Sequence, residues 1–207
     1  MVPPPLYAHD PFLSLHWAMQ SRWLDLPAAA LSTLCEGWAL LLLGLLVFCW
    51  MERNPGRVLA VLLPLPLALL ASGGLTQDLK ELCATPRPLM VFGPHQVRVG
   101  MEPLYLHGFP SGHSSAVATF AVYANLVYGR RARWTFGLMV LGGLSRVYVG
   151  AHWVTDVIGG WGLGTLLGML GYGLAIWLFP GGYLARLRRE RRQTCRPPEV
   201  PGAARNR

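Results

Sequence analysis

An all-α, polytopic transmembrane bundle of about five spanning helices, preceded by a helix lying in the membrane interface, is the fold this sequence predicts. Three observations lead there. Hydrophobic residues make up 53% of the 207 residues and charged ones only 14%, well to the membrane side of a soluble domain's composition. The apolar residues gather into runs close to the ~20 residues that a bilayer core requires. Arginines cluster in alternate connections between those runs, the distribution that the positive-inside rule describes.

Taken in order, the first element is amphipathic. Phe12, Leu13, Trp17, Trp23 and Leu24 suggest an interfacial helix over about residues 11–26. No charged segment precedes it, so a cleaved signal peptide is not expected. Five apolar runs follow, approximately Ala30 to Trp50, Val58 to Thr76, Ser114 to Tyr128, Trp134 to Val149 and Val157 to Phe179. The third and fourth are short, and each must borrow a turn from its flank. Pro64 and Pro66 are expected to bend the second helix, which neighbouring helices can accommodate. In the fifth, Gly160, Gly164 and Gly168 recur every four residues; such a stripe permits close helix packing, or else is thin filler. Gln77 to Phe109 reads as the one sizeable loop. Residues 1–183 thus form a single membrane-embedded domain with its chemistry between 77 and 157, and 184–207 form a basic tail.

The net charge of +8 would suit a nucleic-acid binder if it were spread over a folded face. Instead Arg186, Arg188, Arg189, Arg191, Arg192, Arg196, Arg205 and Arg207 all follow the last apolar run, which argues for a cytoplasmic tail near anionic lipid and against nucleic acid. With Arg53 and Arg57 in one turn and Arg130, Arg131 and Arg133 in another, the segments between the remaining spans fall on the outer side. The four cysteines, Cys35, Cys49, Cys83 and Cys195, have no metal-ligand spacing. Cys35 and Cys83 could both approach the outer face, where a disulfide is chemically permitted.

Three polar clusters interrupt the apolar chain on that outer side. Lys80 is the sole lysine, and Arg87 stands between Pro86 and Pro88, which stiffen it and hold it out of a regular helix. In Pro110-Ser111-Gly112-His113 a helix-start pair opens the third span, so the first backbone amides point outward as an anion receptor. Ser145 and Arg146 close the fourth span, and His152 and Asp156 open the fifth. Their i, i+4 spacing puts a carboxylate within reach of an imidazole, where it can set the tautomer and favour the cation that forms on attack. Three cations, two histidines and an orienting carboxylate are the parts needed to hold a phosphate and attack it. Glu36, near the outer end of the first span, reads as an interfacial acid, with a pocket acid as the alternative. Glu81 and Glu102 lie on the same side without an assigned role. His95 and His107 read as loop residues, since no partner has metal-ligand spacing.

Lys80-x6-Arg87-Pro88, Pro110-Ser111-Gly112-His113 and Ser145-Arg146-x5-His152-x3-Asp156 resemble the three signatures of the type 2 phosphatidic acid phosphatase superfamily, with no gap at any signature position. The resemblance spans Lys80 to Asp156; the first 79 residues and the tail agree only in apolar character. It implies a helical bundle with its site at the outer edge, phosphate ester hydrolysis without metal or cofactor, and a phosphohistidine intermediate. Carried over residue by residue, it makes His152 the nucleophile, Asp156 its orienter and His113 the general acid. Lys80, Arg87, Ser111, Gly112, Ser145 and Arg146 would hold the phosphoryl oxygens. Vanadate-dependent haloperoxidases resemble the same signatures, but they are soluble, and a chain with five spans fits the lipid phosphatase branch.

The expected partners are therefore a lipid phosphate or diphosphate and the bilayer itself. Small bacterial members with few spans include undecaprenyl diphosphate phosphatases, which this chain's short N-terminus resembles, so undecaprenyl diphosphate is the favoured substrate. Phosphatidylglycerol phosphate, phosphatidic acid and lipid A 1-phosphate are the alternatives, as is transfer to another lipid instead of water. A scaffold that keeps the motifs without turnover is disfavoured, because every catalytic position is present. The expected location is the bacterial inner membrane, with the site facing the periplasm or outside.

Overall fold

A computed structural model describes residues 7–52 and 55–179 and shows only helices, with no strand among the described residues. The chain runs α1 (Phe12–Met19), α2 (Asp25–Leu34), α3 (Gly37–Met51), α4 (Pro55–Leu62), α5 (Pro64–Cys83), α6 (Pro88–Phe92), α7 (Gly112–Tyr128), a 3-10 turn over Gly129–Ala132, α8 (Trp134–Tyr148) and α9 (Val154–Leu178). Two helical stretches are long and apolar enough to cross a membrane, Val58–Phe92 and Val154–Leu178, and α2 with α3 makes a third if the bent pair is one span. At 1.5 Å per residue the 17 residues of α7 and the 15 of α8 reach only about 25 Å and 22 Å, short of the ~30 Å core.

Three expectations need correction. The first apolar run is not one straight helix: α2 and α3 meet at Cys35–Glu36 with a 79° bend, because Glu36 adopts an extended conformation (φ −69°, ψ 146°) ahead of α3. Residues 11–26 do not form one interfacial helix either, since α1 ends at Met19 and α2 starts at Asp25. Nor does α1 leave its apolar side to lipid. Phe12 and His16 are fully buried against Phe92, Trp153 and the end of α8, while Trp17, Trp23 and Leu24 stay exposed. His16 serves as a tie, its Nδ1 bonded to the Val147 carbonyl at 2.9 Å and its Nε2 accepting from the Arg98 amide at 3.1 Å. Third, the segment from Gln77 is not loop at its start. α5 runs on to Cys83 through residues of good helix propensity, with Gln77 bonded to Glu81 one turn later at 3.0 Å.

Helical bonding is interrupted at Leu63, where Pro64 offers no amide to the preceding turn, yet Leu63 keeps helical angles (φ −60°, ψ −41°) and Val58–Phe92 counts as one stretch. α7 begins at Gly112, two residues ahead of the apolar run. The glycine stripe is a packing surface. A Cβ at Gly168 would lie 2.8 Å from the Thr119 carbonyl, and one at Gly164 would collide with the Ser115 carbonyl, so α9 rests directly on the backbone of α7. Arg53 and the basic tail lie outside the described residues, as does the Arg57 side chain. Cys35 and Cys83 are unpaired, Cys35 buried and Cys83 exposed.

Candidate active site

The four helix ends that meet at one end of the bundle carry the predicted residues: Lys80 on the last turn of α5, Ser111 to His113 at the start of α7, Ser145 and Arg146 at the end of α8, and Asp156 in the first turn of α9. Arg87 and His152 enter from the adjoining connections. A chain that alternates direction through a bundle brings together residues 80, 113 and 146, each 33 residues from the next, with Asp156 just across the α8–α9 connection.

His152 is the centre of this arrangement and is only 2% exposed. Its Nδ1 lies 3.2 Å from Asp156 Oδ2 and its Nε2 lies 3.2 Å from an Arg87 nitrogen. With the carboxylate accepting, the proton sits on Nδ1 and the lone pair on Nε2. Burial, and then the charges of Arg87, Arg146, Lys80 and His113, push the His152 imidazole well below the usual histidine range. The surroundings therefore favour the neutral form of the ring.

Arg87 is 5% exposed and held by backbone carbonyls. It donates to Leu106 from Nε at 2.8 Å, to Ala151 at 2.8 Å and to His107 at 3.1 Å. Of its five N–H groups, three go to these carbonyls and one to His152, leaving one. His107 has a φ of 59°, a left-handed conformation that turns the chain where its carbonyl meets Arg87. Arg146, 4% exposed, is held differently. It donates to Ser32 and lies 3.8 Å from the Met101 sulfur, while its buried Nε has no protein partner. An unpaired buried guanidinium N–H suits an anion.

The two serines do other work in this structure. Ser111 caps α7, its Oγ accepting from the Ser114 amide at 3.5 Å and from the Ser114 hydroxyl at 3.0 Å. Ser145 donates to the Gly142 carbonyl at 2.7 Å. Gly112 lies where a Cβ would be 3.8 Å from Lys80 Nζ, close enough for the α7 amides and the lysine to share one anion. A cavity of about 360 Å³ opens at the start of α3, lined by Glu36, Trp38, Leu69, Gly73, Lys80 and His113 among others. Glu36 is thus a pocket acid, with one oxygen 3.9 Å from His113 Nε2 and the other accepting from Trp38. Among the described residues, no three His, Cys, Asp or Glu side chains converge as metal ligands.

Several contributors carried no sequence signal. Ser32 holds Arg146; Thr85 accepts from the Phe109 amide at 2.8 Å; Gly108 leaves room for Asp156, since a Cβ there would lie 3.0 Å from Oδ2. Tyr7 and Asp10, ahead of the first helix, bond to the start of α9. Each sits alone among loop or helix residues, and only tertiary contact reveals it.

A family model described as the PAP2 superfamily matches residues 61–179. Similar sequences include an undecaprenyl-diphosphatase of Sulfolobus acidocaldarius, 44% identical over 79 residues that cover 34% of this chain and 38% of that protein. A lipid A 1-phosphatase of Porphyromonas gingivalis is 32% identical over 94 residues, covering 42% of this chain and 21% of that protein. The matched segments therefore span less than half of either relative. The crystal structure of Aquifex aeolicus LpxE superposes with a TM-score of 0.63 at 26% identity, covering 77% of this chain and 91% of that one. A transmembrane PAP2-type phosphatidylglycerolphosphate phosphatase from Bacillus subtilis does so with a TM-score of 0.63 at 25% identity, covering 79% and 83%.

Proposed function

Because the chain belongs to the PAP2 superfamily, whose model covers residues 61–179, we propose that it hydrolyses a lipid phosphate or diphosphate at the outer face of a bacterial inner membrane through a phosphohistidine. The observation that carries this reading is the geometry at His152, whose Nδ1 lies 3.2 Å from Asp156 Oδ2 while its Nε2 lies 3.2 Å from an Arg87 nitrogen.

In this mechanism the lipid head group enters the cavity beside Trp38 and Leu69, with its phosphate among Lys80, Arg87, Arg146 and the first amides of α7. Phosphate oxygens take over the Arg87 N–H that faces Nε2 and engage the free Arg146 Nε. His152 Nε2 then forms a bond to phosphorus as the bond to the leaving oxygen breaks, and His113, brought to its protonated form by the anionic phosphate and by Glu36 3.9 Å away, gives that oxygen a proton. Water next attacks the phosphohistidine, His113 takes its proton, and phosphate leaves with His152 restored. Positioned positive charge is what phosphoryl transfer chiefly requires, and two arginines and a lysine supply it here without a metal. Gly112 contributes its backbone, while Ser111 and Ser145 support the site through the helix start and the end of α8.

Undecaprenyl diphosphate is the favoured substrate, supported by the similarity to an undecaprenyl-diphosphatase. Short α7 and α8 count as spans in this reading, making five in all, with residues 1–183 as one domain and the tail from 184 in the cytoplasm. The test is phosphate release in detergent, with EDTA present, from undecaprenyl diphosphate, phosphatidylglycerol phosphate, phosphatidic acid and lipid A. Wild type should turn over in EDTA as well as in magnesium, fastest on the diphosphate, and His152→Ala should be inactive on all four. Strict dependence on added metal, or turnover by His152→Ala, would refute the mechanism. A preference for another of the four would replace the substrate and leave the mechanism standing.

A further inference from the structure

Asp156 holds the nucleophile with one oxygen, and its other oxygen is not left to the helix. Oδ2 accepts from His152 Nδ1 at 3.2 Å and from the Trp153 amide at 3.1 Å, and Oδ1 accepts from the Tyr7 hydroxyl at 2.9 Å. Tyr7 lies 149 residues away in sequence and is 1% exposed. Its ring stacks on Trp153 with centroids 4.5 Å apart and planes 12° from parallel, and the Trp153 indole donates to the Pro86 carbonyl at 2.8 Å, one residue before Arg87. Three residues on, Asp10 fixes the same segment to α9. It accepts from the Val154 amide at 3.2 Å, the Thr155 amide at 2.8 Å and the Thr155 hydroxyl at 2.5 Å, satisfying amides that a helix start otherwise leaves unpaired.

We propose that Tyr7, locked in place by Asp10, is a positioning residue for the His152–Asp156 pair, so that the segment ahead of the first helix is part of the catalytic unit. A buried tyrosine would serve packing alone if its hydroxyl met any nearby carbonyl. Here the hydroxyl meets the one carboxylate that orients the nucleophile. With both oxygens tied to donors, Asp156 cannot rotate about its terminal bond, and Nδ1–H of His152 has a single fixed acceptor. Loss of the Tyr7 hydroxyl would free Oδ1, allow the carboxylate to swing, and leave the imidazole in line for attack only part of the time. Ground-state binding would be untouched, because the cations that hold the phosphate do not contact Tyr7 through any hydrogen bond in the structure. Outer partners that orient a metal-bound histidine commonly change activity by about 10-fold to 100-fold, and the lower end of that scale is expected for a partner that orients a histidine through its carboxylate.

The inference rests on the lipid phosphatase reading, and the experiment separates the two. Tyr7→Phe keeps the ring and its stacking and removes the hydroxyl, with its bonds to Asp156 and to the Thr85 side chain. Wild type, Tyr7→Phe and His152→Ala would be compared by steady-state turnover on the best lipid substrate, by orthovanadate affinity read from thermal protection, and by Tm. The expected result is a fall in kcat of about tenfold with KM within about twofold, a matching loss of vanadate affinity, and a Tm close to wild type. Wild-type kcat and vanadate affinity in Tyr7→Phe would overturn the proposal. If the wild type hydrolyses no lipid phosphate, the function reading fails, yet vanadate still decides whether Tyr7 positions His152. If Tyr7→Phe lowers Tm sharply, Tyr7→3-fluorotyrosine keeps volume and donor and should restore both kcat and Tm; a stable protein with low kcat there would also overturn the proposal.

Discussion

The two arginines of the site carry the same charge and are held in opposite ways, and the difference predicts how each responds to lysine. Arg87 saturates three carbonyls and faces His152; a lysine has three donors on one point and cannot reach carbonyls that a planar fork reaches. Arg87→Lys should therefore orphan at least one buried acceptor, at about 1–3 kcal/mol each, as well as cost activity on the order of 100-fold. Arg146, whose Nε has no protein partner, has less structure to lose. Arg146→Lys should lower the rate comparably with little change in Tm, so paired melting curves and phosphate-release rates distinguish the roles. Equal Tm values for the two variants would contradict the carbonyl cage around Arg87. The signature residues were legible because rare charges among apolar runs call for a purpose. Tyr7, Asp10, Ser32 and Thr85 were not, since a single hydroxyl or carboxylate is ordinary in sequence and acquires its role from a partner more than 20 residues away.

At the scale of helices, the glycines of α9 decide where the two halves of the chemistry stand. α7 brings His113 and the amides of its first turn, α9 brings Asp156, and Gly160, Gly164 and Gly168 set the spacing between the two axes. Gly164→Val would drive a branched side chain into the Ser115 carbonyl and Ala118, and overpacking of this kind costs about 1–3 kcal/mol even where side chains alone must yield. The neighbour here is backbone, which cannot move to another rotamer. Gly164→Val is expected to lower Tm by several degrees and depress activity, whereas Gly162→Ala, with open space around it, should change neither. A Gly164→Val protein that melts and turns over like wild type would show that the helices are not set by this seam. The stripe was legible as a period of four. The bend at Cys35–Glu36 was not, because Glu36 and Gly37 interrupt the apolar run too briefly to mark a turn in hydropathy. The continuation of α5 past Thr76 was hidden for the converse reason: polarity marks where lipid ends, and a helix can run on into water.

For the whole molecule, the direction of α7 links the site to orientation. The helix begins at Gly112 beside Lys80 and ends at Tyr128, where Arg130, Arg131 and Arg133 follow at once. The chemistry and this arginine cluster are thus at opposite ends of a helix about 25 Å long. If short connections rich in arginine stay in the cytoplasm, the site must open outward, where a lipid released on the outer leaflet would meet it. The measurement uses a protein whose four cysteines, Cys35, Cys49, Cys83 and Cys195, are replaced by alanine. Into it are placed Glu102→Cys or Arg133→Cys, both at exposed positions and at opposite ends of the bundle. A membrane-impermeant maleimide added to intact cells should modify Glu102→Cys and spare Arg133→Cys, and detergent should make Arg133→Cys reactive, proving that it was shielded by the membrane and not by the fold. Labelling of Arg133→Cys alone in intact cells would turn the bundle over. The cavity beside Trp38 would then face the cytoplasm, and a phosphatase acting on outer-leaflet lipid would be untenable.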